Sequence, residues 1–291
     1  MNNISAQMVK ELRDRTGAGM MECKKALIES EGNMDKAIET MRKAGQAKAD
    51  KKSSRIAAEG VVNLAMNNSF VNMIEINCET DFVAKDENFL EFVKVISNSS
   101  ITSYKGNLED FISSKDASGK TFEEIRLELI SKVGENVKIR RIKSIDGKNA
   151  HLGHYMHGSK IGVVVTLEKE NNELAKDICM HIAAMKPSAL SSDDISKDDL
   201  DKEREIYLAQ AKESGKPENI IQKMVDGKIK KYISEVTLVD QVFVKDNDIT
   251  ISELLKKNDN NILSFHRMEV GEGIEKKDEN FADEVMAQIK K

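Results

Sequence analysis

Three histidines, His151, His154 and His157, sit three residues apart within one short run, and three cysteines, Cys23, Cys78 and Cys179, are scattered along the chain. Imidazole and thiolate are common zinc ligands and common bases or nucleophiles, so these residues are the first candidates for chemistry. Their spacing argues against both roles. The segment around the histidines reads as a strand, in which residues three apart point to opposite faces, and no Cys or paired carboxylate nearby completes a coordination set. Cys78 ends an apolar strand with no local base, which reads as a packed thiol and not a nucleophile. Scattered and odd in number, the cysteines argue against a disulfide framework and fit a reducing cytosol. Thr16-Gly17-Ala18-Gly19 is glycine-rich, but no strand precedes it and it lacks the GxxxxGKS/T pattern of a phosphate loop. No catalytic group, cofactor or metal is expected.

Other residues suit recognition better than reaction. Thr80, Asp81, Phe82 and Val83 fall on a strand-to-helix connection, where a scaffold displays binding residues. An aromatic ring beside a carboxylate can anchor an interface by entering a partner's pocket. The alternative is that Phe82 fills its own core while Asp81 caps the following helix. Met20 and Met21 begin a helix after the glycine turn; methionine serves a core or an adaptable interface, and one of each is expected here.

The elements that must position these residues follow from apolar spacing. Ile4, Met8, Val9 and Leu12 mark a first helix, Met20 to Leu27 a second closed by Gly32, and Asn33 caps a third that ends near Gly45. The run Gln46 to Arg55 has no apolar period and reads as a linker or frayed helix. Extended runs follow: Val61 to Met66 and Phe70 to Ile76 flank Asn67 and Asn68, a hairpin signature. A helix capped by Asp86 then presents Phe89, Phe92, Val93 and Ile96. Val137 to Ile142, His151 to Met156 and Ile161 to Leu167 read as strands, and Leu174 to Met185 as a helix, so a strand-then-helix order occurs twice.

From Ser196 to Ile233 two apolar seams surround Ser214-Gly215-Lys216-Pro217, the pattern of an antiparallel helical hairpin. Either it contacts a partner or it is structural padding. Ile262 to Val270 is strand-like, and Phe281, Val285, Met286 and Ile289 mark a short terminal helix.

The 291 residues are 33% charged and 4% aromatic, which favours solvated helices over an all-β body. With 45 basic and 50 acidic side chains, a net charge of -5 and a pI near 5.7, no global field draws nucleic acid. No apolar run approaches the roughly 20 residues of a membrane span, and the N-terminus has no targeting pattern. A soluble, cytoplasmic, protein-binding α+β chain is expected.

The run Arg15-Thr16-Gly17-Ala18-Gly19-Met20-Met21-Glu22-Cys23-Lys24-Lys25-Ala26-Leu27 closely resembles the N-terminal signature of the bacterial elongation factor Ts family. Asn77-Cys78-Glu79-Thr80-Asp81-Phe82-Val83-Ala84 resembles its second signature. His157-Gly158, Ser214-Gly215-Lys216-Pro217 and Glu269-Val270-Gly271-Glu272-Gly273-Ile274-Glu275-Lys276 follow in order, so the resemblance covers almost the whole chain.

It implies a ubiquitin-associated-like three-helix domain at 1–50 and a core of two related α+β subdomains, at 56–145 and at 146–194 with 234–264. It further implies a coiled-coil hairpin inserted at 195–233 and a C-terminal module at 265–291.

The implied partner is elongation factor Tu, GDP-bound and nucleotide-free, with no direct role for nucleic acid or membrane; both one-to-one and two-fold assemblies occur in the family, so a homodimer is possible. The implied role is guanine nucleotide exchange. Thr80 to Val83 would reach towards the partner's Mg²⁺ site, Phe82 as a wedge between helices and Asp81 against the groups that support the ion. Met20 and Met21 would dock on the GTPase domain, His157 would meet the partner more distantly, and the module around Val285 and Met286 would rest on the GTPase domain too. Where some members carry Gln before Thr-Asp-Phe-Val this chain has Glu79, a second acid expected to alter the local electrostatics of Asp81 at most and hardly its role.

Overall fold

A computed structural model describes residues 4–275 except 17, 68 and 149. Gly17 and Asn68 of the expected turns, Lys276, and the expected terminal helix with Phe281, Val285, Met286 and Ile289 therefore lie outside the described residues. Helices and strands are mixed, as an α+β chain requires. The described residues form two compact units: those up to 67 with 72–144 and 269–275, and those at 69–71 with 145–268.

The first unit begins with α1 (Ala6–Thr16), α2 (Met20–Glu29) and α3 (Met34–Lys52). They close around Val9, Leu12, Cys23, Ala26, Leu27 and Ala37. The turn after α2 uses Gly32 at φ +83°, a conformation that costs other residues steric strain. Asn33 Oδ1 then accepts the Lys36 N–H at 3.0 Å, capping α3.

α3 does not stop at Gly45 but runs on to Lys52, so most of the run read as a linker or frayed helix is helix. Its inward face is built from small residues, with Gly45 and Ala49 buried. This lets the helix lie against α6 (Phe122–Val133), where a Cβ on Gly45 would meet Ser131 Oγ at 3.4 Å.

β1 (Glu59–Met66), β2 (Phe70–Cys78) and β3 (Lys138–Asp146) follow, hydrogen-bonded in that order, with α4 (Glu87–Ser103) and α5 (Leu108–Ser113) between the second and third. β2 is central and buried along nearly its whole length. Strand alternation sends Ile74, Ile76 and Cys78 into a core with Phe89, Phe92, Val93 and Ile96 of α4. Phe111 stacks on Phe122 there with centroids 4.7 Å apart. Full burial of one such ring stabilises by about 1.5–3 kcal/mol, so this core is a stiff platform for the connection leaving β2.

In the second unit β4 (His151–His157) pairs antiparallel with β5 (Ile161–Leu167), from His151 opposite Leu167 to His157 opposite Ile161. α7 (Asn172–Met185) crosses them; a Cβ on Gly153 would lie 2.3 Å from that of Ala175, so glycine permits the close approach. α8 (Lys197–Lys212) and α9 (Glu218–Val236) turn at Gly215, φ +66°, and Pro217. Arg204 Nη1 donates to Asp226 and Lys228 Nζ to Gln210, each at 2.8 Å, which ties the two helices side by side. Their seam is Ala211, Ile221, Val225 and Ile229. β6 (Val242–Phe243), β7 (Asp246–Thr250) and α10 (Ile251–Lys257) lead to β8 (Ile262–Glu269), which joins β5 to make the order β4-β5-β8.

Candidate partner-binding site

The connection after β2 is short and internally bonded. Ala84 N–H donates to Thr80 O at 3.2 Å, Lys85 N–H to Phe82 O at 3.1 Å and Asp86 N–H to Val83 O at 3.0 Å, making a 3₁₀ turn at Val83–Lys85. α4 begins at once, capped by Asp86, which accepts from the amides of Asn88 at 2.8 Å and Phe89 at 3.4 Å. The hydrogen bond from the Asn88 side chain, aided by these amides against slight burial, holds the Asp86 carboxyl below its ordinary pKa of 3.8. The cap is therefore Asp86 and not Asp81.

Phe82 is 81% exposed, so it does not fill its own core. Ala84 is buried and Val83 packs against the core of the first unit. Asp81 is half exposed and pairs with Lys85 Nζ at 2.8 Å, a surface pair of i,i+4 spacing that contributes little stability. Of the four residues, Asp81 and Phe82 face outward, whereas Val83 anchors the turn from within.

Thr80 is engaged from behind. Glu135, just after the left-handed Gly134 that ends α6, accepts the N–H groups of Glu79 and Thr80 on Oε2, each at 3.0 Å. Its Oε1 accepts the Thr80 hydroxyl at 2.6 Å, and Thr80 Oγ1 accepts the Val83 N–H at 3.3 Å. Glu79 reciprocates, accepting the Asn136 N–H on Oε1 at 2.6 Å and lying 3.5 Å from Arg55. Its charge is thus directed to an amide and a guanidinium, in keeping with an acid that leaves the role of Asp81 unchanged. Neither Glu135 nor Asn136 stands out by apolar spacing; the signal that marks them is the glycine stop of α6.

Met20 and Met21 start α2 with 49% and 76% exposure, so both lie outside the core, contrary to the expectation of one in each place. They share the first unit with the Thr80–Val83 turn but stand on a different element. His157 belongs to the second unit, exposed at the end of β4 with Nδ1 3.2 Å from the Tyr155 hydroxyl. Among the described residues no group of His, Cys, Asp or Glu is arranged to hold a metal. Cys78 is buried, with its thiol donating to Thr80 O at 3.1 Å, and burial pushes the Cys179 thiol up to about 12. Neither suits a nucleophile.

The segment Glu269–Glu275 serves the fold. Glu75, wholly buried on the other face of β2, accepts from Gly271 N–H at 2.8 Å, Arg140 Nη1 at 2.9 Å, Arg141 Nε at 2.5 Å and Asn77 Nδ2 at 3.1 Å. Arg140 and Arg141 also donate to the Glu272 and Glu269 carbonyls. Gly271 is required at φ +74°, where a Cβ would lie 2.3 Å from Ala58 O.

A family model described as Elongation factor TS matches residues 79–272, from the turn that carries Phe82 to the carbonyl held by Arg140. Over 292 residues and 100% of both chains, the sequence is 51% identical to elongation factor Ts of Legionella pneumophila strain Lens. It is 54% identical over 290 residues to that of Thioalkalivibrio sulfidiphilus, covering 99% of each, and 51% identical over 290 residues and 100% of each to that of Francisella tularensis subsp. novicida. With the family model matched across both compact units and the relatives matched end to end, the chain belongs to the elongation factor Ts family.

Proposed function

We propose that this protein is the guanine nucleotide exchange factor of elongation factor Tu, a cytoplasmic component of translation elongation that speeds GDP release. The observation that carries the reading is Phe82, an aromatic ring exposed on a turn that is fixed on both sides. A solvated phenyl ring on a stiff turn gains free energy only by entering another surface, and little conformational entropy is lost when it does.

In this reading Phe82 wedges between helices of the partner's GTPase domain while Asp81, exchanging Lys85 for groups on the partner, disturbs the support of the Mg²⁺ that the partner holds with its nucleotide. No covalent bond is made or broken, so the protein is not an enzyme in the chemical sense, and it needs no cofactor of its own. Met20 and Met21 add apolar contact to the GTPase domain, in keeping with methionine's ability to fit an irregular surface. His157 contributes a more distant polar contact. Val285 and Met286 are proposed to contact the partner as well. The three-helix head is read as ubiquitin-associated-like and α8 with α9 as an inserted coiled-coil hairpin.

Linkage sets the direction. A factor that weakens GDP binding must itself be weakened to the same extent by GDP, so it binds the nucleotide-free partner best and does not select GTP over GDP. Nothing in this cycle calls for nucleic acid or a membrane, and no helix among the described residues is long and apolar enough to cross one.

The test is stopped-flow release of a fluorescent GDP from elongation factor Tu with Mg²⁺ present. Acceleration that rises with the concentration of this protein is expected. A release rate identical with and without it would overturn the proposal.

A further inference from the structure

We infer that Glu135 is a positioning residue for exchange: its carboxylate, with Thr80 as relay, holds the Phe82 turn in the conformation that enters the partner. The inference rests on the exchange reading above and assigns a role to a residue whose hydrogen bonds go to Glu79 and Thr80.

The geometry separates this clamp from ordinary loop bonding. One carboxylate takes two successive backbone N–H groups, of Glu79 and Thr80, on a single oxygen and a hydroxyl on the other. Hydrogen bonds to an ionised acceptor are about twice as strong as neutral ones. The hydroxyl that donates to Glu135 also accepts the Val83 N–H, so the chain of bonds runs from Glu135 through Thr80 to the residue that follows Phe82. Glu79 and Asn136 close the loop in the reverse direction, and Asn136, itself buried, donates through Nδ2 to Arg55 O at 2.9 Å. Two connections are thereby pinned to each other: the one leaving β2 and the one between α6 and β3.

The ring itself makes no comparable contact, being exposed. Its direction is therefore set by the backbone on either side, and that backbone is set by Glu135. A turn freed from the clamp would sample other directions, and the ordering would then have to occur on binding, at the expense of the exchange rate.

The experiment uses the full chain with Glu135→Ala, the milder Glu135→Gln, Thr80→Val and Thr80→Ser, alone and combined with Phe82→Ala. Three readouts are taken: amide hydrogen exchange of Glu79 and Thr80 in the free protein, melting temperature, and fluorescent GDP release. Glu135→Ala and Thr80→Val are expected to slow stimulated release about tenfold. Amide protection at Thr80 should fall in Glu135→Ala, and Thr80→Ser, which keeps the hydroxyl, should slow release far less than Thr80→Val. In the Phe82→Ala background Glu135→Ala should cost nothing further, because it acts through the ring; a residue that only stabilises the fold would lower release equally in both backgrounds and so overturn the assignment. Wild-type release by both Glu135 variants and Thr80→Val, alongside impaired Phe82→Ala, would refute the positioning role alone. Wild-type release by Phe82→Ala would refute the wedge on which it rests, and the positioning role with it.

Discussion

Replacing Phe82 with alanine removes a ring that touches little of its own protein. At 81% exposure its contribution to the fold is small, and stability should change by no more than about 0.5 kcal/mol. Its contribution to exchange is set by what the ring buries in the complex. Full burial of a phenylalanine side chain is worth about 1.5–3 kcal/mol. With four-fifths of that still available, roughly 1.2–2.4 kcal/mol of transition-state stabilisation is lost, or about an 8- to 60-fold slower stimulated release. The ring helps the rate only if it is buried more fully as GDP leaves than in the first encounter. Stopped-flow release of fluorescent GDP at several protein concentrations measures the loss, and a thermal melt serves as control. A melting temperature several degrees lower with unchanged release would refute the reasoning, because it would mean that the ring supports its own fold and not the exchange step.

Exchanging Met20 and Met21 together for serine should weaken binding to elongation factor Tu about tenfold in titration calorimetry while leaving the melt unchanged, since both side chains are exposed; a lost fold would contradict this. Glu75→Ala should cost about 3 kcal/mol in denaturant unfolding, because it leaves Arg140 and Arg141 without their shared buried acceptor. Burial, the leading influence, pushes the Glu75 pKa up, but the Gly271 amide, Arg140, Asn77 and Arg141 outweigh it and hold it below 4.5. Its stabilisation is thus complete above 4.5 and lost as the pH falls through the lower folded value, an acid limb absent from the variant. His181 accepts the Val244 N–H on Nδ1 at 3.2 Å, which leaves Nε2–H to donate to Gln241 Oε1 at 2.9 Å, so the ring is neutral. Burial lowers its pKa below 6.5 against the Gln241 bond, the unfolded chain takes up the proton first, and stability should fall with pH below 6.5. A His181→Gln variant with the same slope as wild type in unfolding at pH 7.5 and 5.5 would contradict this.

What could be read from the residues depended on how each element hides its signal. Asn33 and Asp86 are polar caps immediately before apolar periods, so their helices were legible at the start. The far half of α3 was not. Its buried positions are Gly45 and Ala49, small enough to approach α6 but without the hydrophobicity that spacing detects. α6 itself packs on α3, α4 and α5, which spreads its contacts around the helix and dilutes any single stripe. At the site the second signature carried Phe82, yet periodicity alone left its direction open between core and solvent, as it did for Met20 and Met21. Only the placement of the 3₁₀ turn decides it. Glu135 was invisible because its partners are distant in sequence, and a carboxylate after a helix-ending glycine looks like any solvated loop residue.

The central claim is a thermodynamic coupling, and the affinity of this protein for elongation factor Tu, measured by calorimetry with the partner nucleotide-free and then saturated with GDP and Mg²⁺, tests it most directly. The expected result is markedly tighter binding to the nucleotide-free form, by the same factor by which this protein weakens GDP. Equal affinity for both forms would contradict the account, because a ligand that binds two states equally shifts neither.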